Sequence, residues 1–235
     1  MKGQAGFVLH SRPYSESSLI VDIFTQTEGR LATIAKGARQ KKSRFRGTLQ
    51  PFSLVTLGWS GKGNIKTLTQ CEWTSGSFEL NRDNLFCGYY LNELILKFIP
   101  RFDPYDKLFE HYLWALNELS NSKDTEFVLR IFEKLLMREI GYGLQLQYDQ
   151  TDGSKVIPDQ VYRYIPGIGA FRESEEYKVG IVVHGSSLIA LNEGSDFDRK
   201  ARRELKILNR ALIYDLLDGR ELSTRKFFSD ISKNY

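Results

Sequence analysis

A chain of 235 residues suffices for one large domain or two small ones, and its 41% apolar content is that of a globular protein. Two cysteines, Cys71 and Cys87, are too few for a structural zinc site. No apolar run reaches the length that spans a bilayer, and the start of the chain lacks a signal-peptide core. These features exclude disorder as the overall class and predict a soluble, cytoplasmic protein with reduced thiols.

Charge is distributed unevenly along the chain. The net charge is only +4, yet no acidic residue occurs between Glu28 and Glu72. A field of one sign attracts polyanions, whereas the simpler alternative is a solvated surface loop. We expect this window to contact nucleic acid through its nine basic residues, which are densest in residues 36–46: Arg30, Lys36, Arg39, Lys41, Lys42, Arg44, Arg46, Lys62 and Lys66.

The first 80 residues carry the short, alternating apolar runs of β-strands. The predicted strands are 5–11, 18–24, 30–36, 53–59 and 63–73. Ser60–Gly63 is a hairpin-turn signal, and residues 37–52 form the one longer link. Five strands with a longer connection after the third fit an OB-fold β-barrel, and an SH3-like barrel fits nearly as well.

After Asn84 the apolar period changes to that of helices. The first predicted helix runs from Asn84 to before Pro100, and the second opens with an Asp103 N-cap and Pro104 as its first helical residue. The third runs from Asp124 or Thr125 to Ile140. Two more are predicted, over roughly 198–217 and from Ser223 or Thr224 onward. Residues 161–165 and 179–184 predict two short strands. The fold class is therefore α+β: an OB-fold at residues 1–80, then a mainly helical domain at 81–235 with a small irregular or β insertion around 144–198.

Motifs of catalysis are missing from the sequence. His10, His111 and His184 share no metal-ligand spacing, and the glycines around Lys62 do not form a P-loop. A two-metal nuclease needs several converging carboxylates, which the basic window lacks. The sequence predicts a protein that is not an enzyme and that uses no metal or cofactor.

Several segments, in order and at the right spacing, resemble the RecO family of DNA repair proteins. They cover residues 5–145 with few gaps: residues 7–19, Phe24-Thr25 with Gly29-Arg30, residues 35–39, Leu49-Gln50-Pro51-Phe52, residues 90–94, and residues 130–133 with 141–143. A weaker similarity follows around residues 203–228. One such segment would say little, whereas the ordered set is specific to the family.

The resemblance implies an N-terminal OB-fold, a C-terminal helical domain and a recombination mediator without catalytic turnover. RecO proteins bind single- and double-stranded DNA and anneal complementary strands coated with single-stranded DNA-binding protein (SSB). They act with RecR and RecF to load RecA on gapped DNA, which implies a nucleoid-associated location. The aromatic residues Phe45, Trp59 and Tyr14 are candidates to stack on bases.

Some family members dock the acidic, Phe-ended tail of SSB on the helical domain. The position that matches the family's tail-binding arginine is Arg130, and Arg203 is a second, less secure match. An apolar tail end needs a hydrophobic groove, and its carboxylates need a guanidinium at the rim. Several members also carry a four-cysteine zinc motif, which this chain lacks at residues 144–185, so packing must replace the metal there.

Two other functions remain compatible with the sequence. The basic barrel could bind an acidic protein surface or tail, which would make the chain an interaction adaptor with incidental DNA affinity. It could also bind RNA, because the basic window does not distinguish the two sugars.

Overall fold

The computed structural model describes residues 3–121, 124–174 and 176–224. Backbone contacts divide the chain into two compact units, residues 1–121 and 122–235. The final helix predicted from Ser223 or Thr224 lies almost wholly outside the described residues. Within the described part, no helix is long and apolar enough to cross a membrane.

The first unit opens with five strands, which confirms the prediction from the alternating pattern. Each lies within a few residues of its predicted position: β1 (Gln4–Tyr14), β2 (Ser18–Thr25), β3 (Gly29–Ala35), β4 (Ser53–Ser60) and β5 (Ile65–Ser77). The strands close into a barrel in the order β1-β2-β3-β5-β4, with β3 and β5 parallel. This closed, mixed barrel is the OB-like arrangement expected from the sequence.

The barrel core is filled by alternate side chains of the strands. Val21 and Ile23 of β2 are fully buried, as are Val55 and Leu57 of β4. Because side chains alternate across a strand, the residues between them point outward. The outward Phe24 is covered by a helix, since its ring centroid lies 5.6 Å from that of Phe109.

Two helices complete the first unit, α1 (Arg82–Phe98) and α2 (Asp106–Asn121). The Asn81 side chain caps α1 by accepting a hydrogen bond from the backbone N–H of Asn84 at 3.0 Å. The amide of Asn92 then donates to the carbonyl oxygen of Leu9 in β1 at 2.8 Å. The strands thus end near residue 80, as the change of period indicates, while the compact unit continues to Asn121 because both helices pack on the barrel.

The second helix begins later than predicted, so Asp103 and Pro104 do not open it. The backbone N–H of Phe109 donates to the carbonyl oxygen of Tyr105 at 2.9 Å, which places Tyr105 in the N-cap position. The backbone N–H of Phe102 donates instead to the carbonyl oxygen of Arg30 at 3.0 Å. The segment before α2 is therefore fixed to β3, and the helix begins three residues after the predicted N-cap.

The described residues of the second unit form three full helices and a small sheet. Its helices are α3 (Thr125–Glu139), α4 (Gly185–Glu193) and α5 (Arg199–Leu216), and its strands are β6 (Val161–Ile165), β7 (Gly169–Arg172) and β8 (Ile181–His184). Asp124 caps α3 and Asp198 caps α5 through their side chains, as aspartate at these positions predicts. β7 and α4 were not predicted from the sequence.

The unpredicted helix α4 follows β8 without a linker. Its first residue, Gly185, lies so close to neighbouring backbone that a Cβ atom there would be 1.9 Å from the carbonyl oxygen of Ile157. Glycine is therefore required by close packing at this strand-to-helix junction.

Candidate nucleic-acid interface

The link between β3 and β4 folds as a series of consecutive turns. The backbone N–H groups of Gln40, Ser43 and Arg46 each donate to the carbonyl oxygen three residues earlier, over 3.1–3.2 Å. Turns of this kind satisfy the backbone locally, so the link has a defined shape without belonging to the sheet. The densest basic segment is thus held on a fixed surface.

Two apolar side chains anchor the link in the barrel. Phe45 is 3% exposed and belongs with Leu49 to the barrel core. The Thr48 hydroxyl donates to the carbonyl oxygen of Phe45 at 3.1 Å, and the Cys71 thiol donates to the carbonyl oxygen of Thr48. Burial raises the pKa of Cys71, which keeps it a neutral thiol under this turn.

The link is also fastened to the turn between β1 and β2. The Arg39 backbone N–H donates to the carbonyl oxygen of Ser17 at 2.9 Å, and its guanidinium donates to that of Ser15 at 3.0 Å. Tyr14 precedes this turn and is 48% exposed. An exposed aromatic ring and the basic link are therefore presented side by side, with Glu16 as an acidic neighbour in the turn.

Six of the predicted DNA-binding residues are exposed on this link. Within the described residues, none of the six lies within ion-pair distance of a carboxylate: Lys36, Arg39, Lys41, Lys42, Arg44 and Arg46. The guanidinium of Arg44 lies 4.7 Å from the centroid of the Phe45 ring. The ring is buried beneath it, while the Arg44 side chain remains exposed. Unpaired, exposed cations are available to phosphates.

The other three predicted residues lie apart from the link. Lys66 on β5 is the register partner of Thr33, so the turn that carries Lys62 lies toward the Gly29 end of β3. The link leaves β3 at its opposite end, after Ala35. A seven-residue strand is about 20 Å long, so Arg30 and the turn that carries Lys62 lie far from the link, whereas the backbone of Lys66 lies between the two ends.

Arg30 is engaged by the protein itself. Its Nε donates to the carbonyl oxygen of Ile99 at 2.8 Å, and its guanidinium lies 4.0 Å from the Asp22 carboxylate. Partial burial lowers the pKa of Arg30, although Asp22 acts in the opposite direction. Arg30 therefore positions other residues, and it is less suited than the link cations to contact phosphate.

The prediction of base-stacking aromatics was wrong for Phe45 and Trp59. Trp59 is 6% exposed and lies with Phe45 in the barrel core, so neither ring is available to a base. The high charge around Phe45 suggested a surface position, whereas its ring is the apolar anchor of the link. Tyr14 is the one of the three that is exposed.

Arg130, the first predicted tail-binding arginine, is largely buried in α3. It is 7% exposed, and its guanidinium donates to Oε1 of Glu133 at 2.7 Å. The amide of Asn209 on α5 donates to Oε2 of Glu133 at 2.8 Å. Nε and Nη1 of Arg130 have no hydrogen-bond partner in the described part of the chain. Arg130 is thus the cation of a buried ion pair within α3, and Asn209 connects this pair to α5.

Arg203 is exposed and lines an open groove of about 840 Å³ along α5. The groove also contains Arg199, Lys200 and the exposed apolar side chains of Val182 and Ile207. Two further cations are partly balanced by α3, because Arg202 pairs with Asp124 and Lys206 with Glu126. Glu204 also lines the groove and is paired with His184. Among the described residues, Arg199, Lys200 and Arg203 have no carboxylate within ion-pair distance, so the lining combines positive charge with apolar surface.

Arg130 and Arg203 do not share one face of the second unit. Asn209, which contacts the Arg130 pair, follows Arg203 by six residues on α5. At 3.6 residues per turn the two positions differ by about 120° around the helix axis. Only the resemblance assigned both arginines to tail binding, and that assignment stays a prediction. The three-residue spacing of Arg130 and Glu133 was the available signal that Arg130 is paired.

A polar cluster organises the segment without the family's zinc motif. Asp149 is fully buried and accepts hydrogen bonds from the backbone N–H groups of Thr151 at 2.9 Å and Arg172 at 3.2 Å. Its carboxylate also lies 3.0 Å from the Arg172 guanidinium. Asp149 thereby connects the loop around residues 149–151 to β7. In the described residues, no group of histidine, cysteine or carboxylate side chains could hold a metal.

The comparisons with known proteins agree over most of the chain. Residues 1–77 match the family model "Recombination protein O N terminal", and residues 79–218 match "Recombination protein O C terminal". A DNA repair protein RecO of Ralstonia nicotianae is 42% identical over 232 residues, covering 98% of this chain and 85% of the relative. Those of Dechloromonas aromatica and Coxiella burnetii are each 40% identical, covering 98% and 95% of this chain and 96% of each relative. The chain therefore belongs to the RecO family of DNA repair proteins.

Proposed function

We propose that this protein is a recombination mediator that binds single- and double-stranded DNA through the basic link and anneals complementary strands. With RecR and RecF it helps to load RecA on gapped DNA. It acts by holding strands and partners, without catalytic turnover. Membership of the RecO family supports a role in DNA repair and recombination, and these activities would carry out that role.

The observation that carries the proposal is the fixed, exposed link. Six cations project from turns that are anchored inward by Phe45 and laterally by the Arg39–Ser15 hydrogen bond. Positioned cations neutralise phosphates and release their counterions, which drives binding irrespective of sequence. Neutralising two strands also lowers the repulsion that slows their annealing.

Titration of a fluorescent oligonucleotide at several salt concentrations tests the proposal. The affinity should fall as salt rises, and replacing Arg39, Lys41 and Lys42 together with glutamate should reduce the slope of log affinity against log salt by about two or more for a single strand. A matched control replaces Lys107 and Lys155, exposed outside the basic window, with glutamate. An affinity that neither salt nor the link substitutions change would refute binding through the link, and competition by RNA of the same sequence tests the alternative of an RNA-binding protein.

The groove along α5 supports a second activity, docking of the SSB tail. An acidic peptide with an apolar end fits a lining in which Arg203, Arg199 and Lys200 stand beside Val182 and Ile207. Arg203 provides the guanidinium at the rim. Arg130, in contrast, is buried and pairs with Glu133, which Asn209 of α5 contacts, so its side chain would support the site from beneath.

Binding of a synthetic SSB-tail peptide distinguishes this activity from DNA binding. Arg203→Ala should weaken the peptide complex and leave affinity for a bare oligonucleotide unchanged. The glutamate variants of the link should have the opposite effect. If the peptide bound and DNA did not, the chain would be an adaptor with incidental DNA affinity.

A further inference from the structure

The segment that follows α1 returns to the barrel and is fixed against β3. Arg101 forms a parallel bridge with Arg30, and the Phe102 backbone N–H donates to the Arg30 carbonyl oxygen at 3.0 Å. Gly29 permits the contact, because a Cβ atom there would lie 1.9 Å from the carbonyl oxygen of Asp103. The start of β3 therefore holds Phe102 in one position.

Phe102 has an unusual conformation for an aromatic residue. Its φ angle is 61°, in the left-handed region that L side chains rarely adopt, and its side chain is 39% exposed. A strained residue persists only where its surroundings fix it, and such residues cluster at binding and catalytic sites. The strain here presents an aromatic ring to solvent.

One cation lies over this ring, since Nζ of Lys66 is 5.0 Å from the ring centroid. Arg101 precedes Phe102 in the chain, and its guanidinium lies 3.8 Å from the largely buried Asp22, which Arg30 also faces. Two exposed acids, Glu28 and Asp103, flank the contact between Gly29 and the segment that carries Phe102. Lys66 is therefore the cation that the ring itself presents to a ligand.

We propose that Phe102, with Lys66 and Arg101, forms a second contact for single-stranded nucleic acid, in which a base stacks on the ring and its phosphates meet the two cations. This Phe102 site lies toward the Gly29 end of β3, whereas the basic link leaves β3 at the other end. It rests on the proposed function, because it deepens how that activity holds a strand.

The chemistry of the Phe102 site favours a nucleic acid over an acidic peptide. An exposed ring beside cations is the arrangement that stacks bases without sequence preference. Lys62 and Lys66 belong to the same acid-free window of the sequence as the link, so both places carry basic residues of that window.

Crosslinking of the full chain to an oligothymidine that carries 5-iodo-2′-deoxyuridine tests the site. Irradiation links the iodinated base to an aromatic ring stacked on it, and mass spectrometry identifies the residue. We expect a crosslink at Phe102, retained in Phe102→Tyr and lost in Phe102→Leu. Phe102→Gly, which relieves the backbone strain, should also lose it while remaining folded.

Affinity measurements provide a second readout. Phe102→Leu should weaken oligonucleotide binding by about five-fold or more without changing the salt slope, since stacking involves no counterion. Lys66→Ala should reduce the slope by about one. Tyr142→Leu, at an exposed aromatic of the second unit, is the matched control and should change neither.

The outcomes separate this inference from the proposed function. If DNA binds with a slope that depends on the link, but Phe102→Leu has no effect and no crosslink forms at Phe102, the Phe102 site is refuted alone. A protein that binds no oligonucleotide refutes both. If Phe102→Leu weakened only the binding of an acidic peptide and left DNA binding intact, the site would bind protein and the inference would be wrong.

Discussion

The guanidinium of Arg39 donates a hydrogen bond to the carbonyl oxygen of Ser15 over 3.0 Å, which joins the basic link to the turn between β1 and β2. The backbone N–H of Arg39 donates to Ser17 in the same turn. One residue therefore contributes positive charge and fixes where the neighbouring cations lie.

Arg39→Lys separates these two roles, because lysine keeps the charge and lacks the planar donor geometry. We expect the salt slope of DNA binding to remain unchanged and the amide protons of residues 36–46 to exchange faster in hydrogen–deuterium exchange. Lys36→Arg is the control and should change neither measurement. Unchanged exchange in Arg39→Lys would show that the backbone bonds suffice to fix the link.

Replacing the buried arginine should affect stability more than binding. Arg130→Ala leaves Glu133 buried without its cation, which should lower the free energy of unfolding by about 3–5 kcal/mol. Arg203→Ala, on the exposed side of α5, should lower it by less than about 0.5 kcal/mol. Denaturant unfolding of the two variants checks this, and equal stabilities would contradict burial of the Arg130–Glu133 pair. Adding Glu133→Gln to Arg130→Ala should recover part of the loss.

Truncation of the link's apolar anchor should destabilise the barrel. Phe45→Ala removes a ring from the core and should lower the free energy of unfolding by about 3–5 kcal/mol. Arg44→Ala, one residue earlier and exposed, should cost far less while weakening DNA binding. Thermal unfolding distinguishes the two, and a fully stable Phe45→Ala variant would argue that the ring is a surface platform.

Acid should destabilise the second unit through Glu204. Burial alone would raise the pKa of this carboxyl, but hydrogen bonds from the His184 backbone, the Ser187 hydroxyl and the His184 ring outweigh burial and lower it. A lowered folded-state pKa means that the stabilisation is complete above the unfolded pKa, about 4.3, and is lost as pH falls through the folded value.

Glu204→Gln tests this pH dependence. Its free energy of unfolding should vary less with pH below about 4.5 than that of the wild type, as measured by urea unfolding at a series of pH values. The exposed Glu193→Gln on α4 serves as the control and should retain the wild-type profile. A Glu204→Gln profile that overlays the wild type would exclude this linkage.

The barrel strands could be predicted from the sequence because apolar and polar residues alternate along them and Gly61 lies in a clear hairpin-turn signal. The two elements that escaped, β7 and α4, are too short for a periodic pattern and depend on contacts such as the approach of Gly185 to Ile157. The start of α2 was misplaced for a similar reason, since the binding of Phe102 to β3 overrides a good local start signal.

The candidate site was predicted in part. Charge density identified the link, because exposed cations leave a direct trace in composition. The separate location of Lys66 and the neighbours Arg101 and Phe102 were not predicted, since the pairing of β3 with β5 and with residue 101 joins positions far apart in sequence. Arg130 is buried and Arg203 is exposed because different faces of α3 and α5 pack inward, which the sequence pattern did not resolve.

Annealing of complementary strands, bare and coated with SSB, tests the central claim most directly. The wild type should accelerate both reactions, Arg203→Ala should lose only the coated one, and the glutamate variant of Arg39, Lys41 and Lys42 should lose both. Annealing of bare strands by that link variant at the wild-type rate would contradict the claim that the basic link holds DNA.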